Sequence, residues 1–312
     1  MGRSEINGIL NIYKEKGFTS FDVVAKLRGV LGQKKIGHTG TLDPMAEGVL
    51  AVCAGSATKL CGLLTDADKE YETVLLLGKT TDTQDIWGKV LKETGQEEVK
   101  KLDTSEVIKA VRSFEGNIEQ IPPMYSAIKQ NGKKLYELAR EGKTVERKSR
   151  RITIYGIDIL SVELPFVRLK VSCSKGTYIR TLCEDIGNRL GCGGTMKELL
   201  RLRSGSFMLK DSLRLSEIKE LKESGALDRA LIPADRLFED LRAIGIRDAA
   251  CPEEIYQKLI MNGNKLELSF LRRDLFPKEG ERFRIYDKSG SFKGIYSFDA
   301  GQNRLVPYKM FF

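Results

Sequence analysis

The order of strand-like and helix-like segments in the first 235 residues constrains the fold more than any other feature of this chain. The segments "RITIYGIDIL" and "VRLKVSCS" follow each other closely, and "YETVLLLGK" precedes them. Alternating apolar residues in "VRLKVSCS" place one strand face in a core. Because the strands and helices do not follow a regular strand–helix–strand order, a doubly wound parallel sheet is not indicated. We therefore predict an α+β fold in which helices flank a mixed β-sheet.

Two helices are predicted from apolar residues at helical spacing between capping and terminating residues. Ser20 is expected to cap the first helix, and Gly32 is expected to end it. The expected buried face of this helix comprises Phe21, Val24, Leu27 and Leu31. The segment "GTYIRTLCEDIGNRLGCG" predicts a second helix, with Thr177 as its cap and Gly191 at its end.

The length of 312 residues and a change in sequence pattern after Leu231 predict two domains. The first spans residues 1–235. Short strands in "FRIYDKSGSFKGIYSF", joined by a Lys-Ser-Gly turn, predict a small β-rich domain over residues 243–312. No run of about 18 apolar residues occurs, and the first residues lack the apolar core of a signal peptide. We therefore expect a cytoplasmic protein without a membrane partner.

Positive charge is concentrated in one segment of the chain. The sequence has 52 Lys and Arg against 43 Asp and Glu, a net charge of +9. Between Lys129 and Arg151 nine positive residues face three negative ones. This concentration predicts a surface that contacts the phosphates of a nucleic acid, whereas a solvated helix face would be more evenly balanced. The candidate RNA-binding residues in the segment are Lys129, Lys133, Lys134, Arg147, Arg150 and Arg151.

The chain is poor in the side chains that bind metals. It has one histidine and six cysteines, and the cysteines form no Cys-x-x-Cys pair. We expect no metal site, and triads that depend on histidine are poorly supported. Asp82 and Asp85 form the one carboxylate pair that suggests a cation, and we favour a loop or RNA-facing role for them because no third ligand is evident.

The stretch "GHTGTLDPMAEGVL" contains the only histidine, His38, and an aspartate, Asp43, that precedes a proline. A residue before proline is restricted to extended geometry, so the direction of the Asp43 side chain is constrained. A lone carboxylate can act as a nucleophile or as an acid or base, and a nearby cation keeps it ionised in a closed site. Arg180, near the predicted helix start in "SKGTYIR", is a candidate cation. An ordinary turn and an ordinary ion pair are the alternatives.

This stretch closely resembles the catalytic motif of the TruB family of tRNA pseudouridine-55 synthases. Four further segments resemble the family in the family's order, and together the five cover most of residues 6 to 210. These segments are "DKEYETVLLLGKTTDTQDIWG", "IPPMYSAIKQNGKKLYELAREG", "CSKGTYIRTLCEDIG" and "LLRLRSGSF". Five ordered motifs are far more specific than any single one.

The resemblance implies a pseudouridine synthase fold and the conversion of uridine 55 in the tRNA T-loop to pseudouridine. The base is flipped out, its glycosidic bond is broken, and C5 is joined to the ribose without any cofactor. Asp43 matches the essential aspartate, which attacks the ribose or assists elimination at the 2′ position. Arg180 matches the arginine that pairs with this aspartate, and Tyr71 matches the tyrosine that stacks on the target base.

The resemblance also implies residues that bind the substrate. His38 matches the histidine that enters the T-loop, and Tyr178 and Leu199 match residues that line the base pocket. Lys14 matches a lysine that braces the catalytic loop, although Glu15 follows it where the family has proline. The segment at about 120–151 corresponds to the RNA-gripping thumb of the family, and residues 243–312 resemble a PUA-like RNA-binding domain. The implied partner is the tRNA T-stem-loop, bound by a monomer without guide RNA.

Three alternatives remain on the sequence alone. A non-catalytic tRNA chaperone would need RNA binding but not Asp43. A guide-dependent pseudouridylase would lack the long thumb insertion that this chain has. A metal-dependent nuclease is disfavoured by the scarcity of ligands.

Overall fold

The computed structural model describes residues 5–272 and 275–311, which contain a nine-stranded and a five-stranded sheet. The strands are β1 (Gly8–Lys14), β2 (Ile36–His38), β3 (Glu47–Ala54), β4 (Lys69–Leu77), β5 (Lys79–Thr81), β6 (Val90–Glu93), β7 (Gly116–Gln120), β8 (Lys129–Gln130), β9 (Lys133–Lys134), β10 (Arg150–Glu163), β11 (Phe166–Cys173), β12 (Gly194–Ser204), β13 (Phe207–Met208), β14 (Arg242–Ile244), β15 (Leu266–Glu267), β16 (Arg282–Tyr286), β17 (Phe292–Asp299) and β18 (Arg304–Met310). The α-helices are α1 (Ser20–Leu31), α2 (Cys61–Thr65), α3 (Gln96–Lys100), α4 (Thr104–Arg112), α5 (Leu135–Arg140), α6 (Ile179–Arg189), α7 (Leu215–Glu223) and α8 (Glu253–Met261).

The large sheet is mixed, as predicted. Its main path runs β1-β3-β12-β4-β11-β10-β7, with β2 paired to β3 and β13 paired to β12. Neighbouring strands are antiparallel except β3 and β12, which are parallel where Leu200 faces Glu47 and Arg201 faces Gly48. The three strands predicted from "YETVLLLGK", "RITIYGIDIL" and "VRLKVSCS" are β4, β10 and β11. The α+β fold class is therefore confirmed.

One apolar core lies between this sheet and α6. Tyr71, Leu75 and Leu77 alternate along β4 and pack with Val171 of β11 and Leu182 of α6. Successive side chains along a strand point to opposite faces of a sheet, so every second residue lies on the same face. Tyr71 therefore lies on the face of β4 that packs into this core.

Helix α1 ends where the sequence predicts, but its start differs from the prediction. Thr19, not Ser20, is the N-cap, because its hydroxyl accepts the Asp22 N–H while the Asp22 carboxylate accepts the Thr19 N–H. Gly32 adopts the left-handed conformation that ends the helix, with φ of 68°. Phe21 is 63 % exposed and does not belong to the buried face, which Val23, Val24, Leu27 and Leu31 form.

Helix α6 differs in the other direction, because its N-cap lies one residue later than predicted. Tyr178 is its N-cap instead of Thr177, whose hydroxyl donates back to the Ser174 carbonyl. Tyr178 makes no side-chain cap hydrogen bond, but the Gln120 side chain of β7 accepts from the Tyr178 N–H and donates to the Tyr178 carbonyl. This partner is distant in sequence, so the local pattern alone could not reveal it.

The five-stranded sheet runs β14-β16-β17-β18-β15 and contains the predicted β16–β17 hairpin. Its turn is held by the Asp287 carboxylate, which accepts from the backbone N–H groups of Ser289 and Ser291. The stacked rings of Phe292 and Phe311 belong to an apolar cluster that also contains Ile9 and Val49 of the large sheet. In the described part of the chain, no helix is long and apolar enough to cross a membrane.

Candidate active site

The loop between β2 and β3 contains Asp43 and is anchored at both sides of that residue. The buried Ser20 hydroxyl accepts from the Leu42 N–H at 2.9 Å and donates to the Leu42 carbonyl at 3.3 Å. The Pro44 carbonyl accepts from the Gly17 N–H at 3.0 Å. These bonds fix the backbone immediately before and after Asp43, so the start of α1 positions the carboxylate.

Asp43 forms a two-point ion pair with Arg180, the second residue of α6. The Arg180 Nε lies 2.9 Å from Asp43 Oδ2, and Nη2 lies 3.2 Å from Oδ1. The Asp43 side chain is 35 % exposed, whereas the Arg180 side chain is only 5 % exposed. The carboxylate is therefore open to a ligand on one side, while the guanidinium that holds it is closed off from solvent.

Opposing effects act on the protonation of Asp43. Burial raises the pKa of its carboxyl above the ordinary value, and the Asp85 carboxylate acts in the same direction. The positive charges of Arg180 and Lys14 lower the pKa and so favour the ionised form. The site therefore contains a partly desolvated carboxylate with guanidinium support, which is a reactive group for nucleophilic or acid–base chemistry.

Arg180 also joins the loops around Asp43. Its Nη1 donates to the Thr83 carbonyl at 2.8 Å, and its Nη2 donates to the Tyr125 carbonyl at 2.8 Å. A guanidinium offers five N–H donors in a rigid plane, which allows one side chain to serve several acceptors at once. Arg180 thus connects the Asp43 loop, the segment after β5 and the segment after β7.

Lys14 lies at the end of β1, fully buried beneath the Asp43 loop. Its ammonium donates to the carbonyls of Phe18, Pro44 and Glu15 at 2.7, 3.0 and 3.1 Å. Burial lowers the pKa of Lys14 to about 8, against the opposing charge of Asp43. The three carbonyls occupy its three donors, so the geometry suits support of the loop rather than direct contact with a substrate.

Tyr71 and Leu199 lie in the core beside the Asp43 loop, where they share an apolar cluster with Leu42 and Ala46. Burial raises the pKa of the Tyr71 hydroxyl, and the nearby Arg201 guanidinium opposes that shift. Tyr71 is paired with Arg201 across β4 and β12. Tyr71 is 8 % exposed, so little of the residue is accessible from the surface.

Arg201 is a site residue that sequence reasoning missed. It is 1 % exposed, donates from Nε to the Val49 carbonyl at 2.6 Å and donates from Nη2 to the Gly40 carbonyl at 3.2 Å. Arg201, on β12, therefore connects the Asp43 loop at Gly40 with Val49 of β3. The signal in the sequence was a cation within the apolar strand "LLRLRS", because a buried arginine requires partners.

His38 ends β2, and Tyr178 is the N-cap of α6. Burial and the charge of Arg201 lower the pKa of His38, so its ring is neutral at pH 7. His38 Nδ1 is buried without a hydrogen-bond partner among the described residues. Burial also raises the pKa of Tyr178, at the start of α6 beside Arg180.

The carboxylates of Asp82 and Asp85 accept hydrogen bonds from groups of their own loop. Asp82 Oδ1 accepts from the Lys89 N–H at 2.7 Å, and Asp85 Oδ1 accepts from the Thr83 hydroxyl at 2.7 Å. Across residues 5–272 and 275–311, no three His, Cys, Asp or Glu side chains are grouped as metal ligands would be.

The basic segment extends from the sheet between β7 and β10. It forms the short β8–β9 hairpin and α5 before the chain returns through β10. Lys133 pairs with Glu141, and Arg147 donates to the Pro122 carbonyl. Lys134 lies over the Tyr136 ring. The described acidic side chains form no ion pair with Lys129, Arg150 or Arg151, which are exposed.

Comparisons with known proteins agree with the resemblance of the motifs. A family model described as "TruB family pseudouridylate synthase (N terminal domain)" matches residues 28–179, and one described as "tRNA pseudouridylate synthase B C-terminal domain" matches residues 180–239. A "tRNA pseudouridine synthase B" of Lachnoclostridium phytofermentans is 51 % identical over 98 % of this chain and 100 % of its own length. The protein of the same name from Clostridium kluyveri is 46 % identical over 98 % of each chain.

Solved structures show the same likeness at the level of the fold. A structure described as "Structure of H/ACA RNP bound to a substrate RNA containing 2'-deoxyuridine" superposes with a TM-score of 0.69 and 25 % identity, covering 98 % of this chain and 85 % of that one. A "Cbf5-Nop10-Gar1 Complex" gives a TM-score of 0.68 and 26 % identity over the same shares of the two chains.

Proposed function

The chain belongs to the TruB family of pseudouridylate synthases, and on that premise we propose that the Asp43 carboxylate initiates the conversion of a tRNA uridine to pseudouridine. The reaction is an isomerisation. The N1–C1′ bond breaks, the base turns, a C5–C1′ bond forms, C5 loses its proton and N1 gains one. No atom of the nucleoside is lost apart from this exchange of protons.

The paired geometry of Asp43 and Arg180 carries this proposal. The pair leaves one side of the carboxylate open while the guanidinium stabilises its negative charge. Attack at C1′ and assistance of elimination at C2′ both need an ionised carboxylate beside the ribose, and the pair supports either route. Preorganised charge of this kind avoids reorganisation during the reaction.

The residues around the pair bind and orient the base. We propose that Tyr71 stacks on the flipped uridine and helps to remove the C5 proton, and that Leu199 and Tyr178 line the base pocket. His38, whose neutral ring has an unused Nδ1, enters the space that the base vacates. Stacking on an aromatic ring returns about 1–3 kcal/mol per base, which offsets part of the cost of flipping.

The substrate we propose is uridine 55 in the T-stem-loop of tRNA, bound by a monomer in the cytoplasm. The unpaired cations of the segment at about 120–151 contact the phosphates of the stem, and residues 243–312 act as a PUA-like domain that binds the rest of the tRNA. The segment between β7 and β10 supports recognition of tRNA without a guide RNA, because it supplies an RNA-gripping element from the chain itself.

Release of tritium from tRNA that carries 5-tritiated uridine tests this function. Formation of the C5–C1′ bond expels the tritium, so the intact protein is expected to release about one equivalent per tRNA. A transcript with cytidine at position 55 is the control and is expected to release none. Binding of tRNA without release would overturn the proposal and leave a chaperone as the better account.

A further inference from the structure

Trp87 is the only tryptophan of the chain, and it is 63 % exposed in the loop between β5 and β6. Val90 and Leu91 are exposed close to it in sequence, and a group of exposed apolar side chains is typical of an interaction site, whereas a single one is not. Trp87 is exposed although the backbone around it is well anchored.

The ends of the loop are tied to each other and to the large sheet. The Asp82 N–H donates to the Lys89 carbonyl at 3.1 Å, and the Lys89 N–H returns to the Asp82 carboxylate at 2.7 Å. The Ile86 N–H donates to the Met196 carbonyl of β12 at 3.0 Å. The Trp87 N–H donates to Asp85 Oδ1 at 3.1 Å. Four bonds thus fix the backbone that presents the indole.

Gly88 shows how tightly the loop is closed. A Cβ atom at this position would lie 2.2 Å from the Thr83 hydroxyl oxygen and 2.4 Å from Asp82 Oδ1, so no side chain fits without displacing the loop. The indole is therefore presented on a rigid support. An aromatic group that is ordered before binding loses little conformational entropy when a ligand stacks on it.

The same loop reaches the reactive centre. The Thr83 carbonyl accepts from Arg180, which pairs with Asp43. The Asp85 carboxylate, which holds the Trp87 N–H, also acts electrostatically on Asp43. The Trp87 backbone is therefore bonded to Asp85, and Asp85 in turn influences Asp43. This places Trp87 at the edge of the site rather than within it.

We propose that Trp87 is a stacking surface for an unpaired nucleotide of the substrate RNA next to the flipped uridine. This inference rests on the proposed function, because the RNA is the substrate of Asp43. The indole accepts any base, since every base has a flat apolar face. Exposed Lys89, two residues further on, is placed to meet the phosphate of the same strand.

RNA fits the surroundings better than a protein partner does. Val90 and Leu91 are exposed near Trp87, but Lys89 and Lys92 flank them in the sequence. A stable protein interface normally excludes charged side chains from its centre, whereas stacking aromatics interleaved with cations are typical of single-strand binding.

Tryptophan emission tests the proposal directly, because the protein has no second tryptophan to obscure the signal. The intact protein is titrated with a T-stem-loop RNA, and tritium release is followed on the same preparation. We expect emission to be quenched and to saturate at the RNA concentration that saturates activity. Unchanged emission at saturating RNA, with tritium release intact, would overturn the stacking role and leave the proposed function standing.

Two substitutions at position 87 distinguish stacking by an aromatic ring from simple filling of space by an apolar side chain. Trp87→Leu is expected to raise KM for the RNA about tenfold, and Trp87→Phe is expected to restore most of the affinity because it restores a ring. Tyr155→Leu is the control, since Tyr155 is a 56 % exposed aromatic whose hydroxyl bonds Asp68 of another loop. Equal KM values for the Leu and Phe variants at position 87 would refute stacking. If the intact protein released no tritium from the RNA, the proposed function would be refuted instead.

Discussion

Arg180 donates to acceptors from three separate segments of the chain, and its positive charge is the largest of the effects that favour the ionised form of Asp43. The position of Asp43 before proline in a glycine-rich loop and that of Arg180 near a helix start made both residues candidates, and the resemblance to the family motifs supplied their expected roles. Their distance could not be derived from the sequence, because 136 residues separate them and only the packing of α6 against the sheet brings them together. Arg201 was missed because its partners are backbone carbonyls, which leave no mark in a sequence.

The activity is expected to fall at acidic pH earlier than an exposed aspartate would predict. Burial raises the pKa of Asp43, and the protonated carboxyl that forms below this pKa can neither attack nor accept a proton. Arg180→Met removes the charge that opposes the shift, so the acid limb of kcat/KM is expected to move to higher pH. Arg189→Met, on the same helix over Phe114, is the matched control. An acid limb that stays in place in the Arg180 variant would contradict this assignment.

Lys14→Met is expected to destabilise the fold by about 1–3 kcal/mol, because three carbonyls lose a buried donor. The substitution is also expected to lower kcat more than it raises KM, since the Asp43–Pro44 turn loses its support. Urea denaturation and single-turnover kinetics measure the two effects. Lys16→Met is the control, as Lys16 is half exposed and pairs with Glu47 on the surface. Equal stability of the two variants would show that Lys14 does not support the loop.

At the level of elements, the sequence predicted the strands and the end of α1 but misplaced two helix starts. Ser20 has the chemistry of a cap, yet Thr19 supplies the cap, and the Ser20 hydroxyl serves Leu42 instead. Thr177 donates its hydroxyl back to the Ser174 carbonyl, and the Tyr178 N–H is bonded by Gln120 of β7. In both cases the expected cap residue makes a different hydrogen bond, because Ser and Thr side chains can bond several nearby or distant backbone groups.

Gly48 is predicted to be essential for the joining of β3 and β12. Its φ is +101°, and a Cβ atom would lie 2.3 Å from the Arg201 carbonyl oxygen. Gly48→Ala is therefore expected to cost about 2–4 kcal/mol of stability, through backbone strain and the displacement of Arg201. Gly29→Ala is the control, because Gly29 lies in α1 with no atom within 4 Å of its added Cβ. That variant is expected to gain up to about 1 kcal/mol. Similar stabilities in urea would contradict the close approach.

For the whole molecule, the net positive charge predicts an anionic partner. The concentration of positive residues between Lys129 and Arg151 predicts which segment contacts that partner. The second sheet was predicted only as a β-rich unit. Its attachment through Phe292 and Phe311 to a cluster that includes Ile9 and Val49 could not be predicted, because apolar residues of two sheets look alike in a sequence. The proposed RNA-binding segment thus belongs to a protein whose two sheets share apolar packing.

Replacing Lys129, Arg150 and Arg151 by glutamine is expected to weaken tRNA binding and to reduce its salt dependence. Each lost phosphate contact lowers the slope of log K against log salt by about 0.7–0.9. Lys219→Gln with Lys222→Gln on α7 is the charge-matched comparison for two of the three changes. Filter binding from low to high salt measures the slope. A slope equal to that of the intact protein would show that these cations do not contact the RNA.

The central claim is that the Asp43 carboxylate performs the chemistry while the rest of the site binds and orients the RNA. Single-turnover conversion of tRNA by Asp43→Asn, with protein in excess, tests it most directly. The variant is expected to bind tRNA with nearly unchanged affinity and to form pseudouridine at least about a thousandfold more slowly than the intact protein. Conversion within tenfold of the intact rate would contradict the claim and would assign the chemistry to another group.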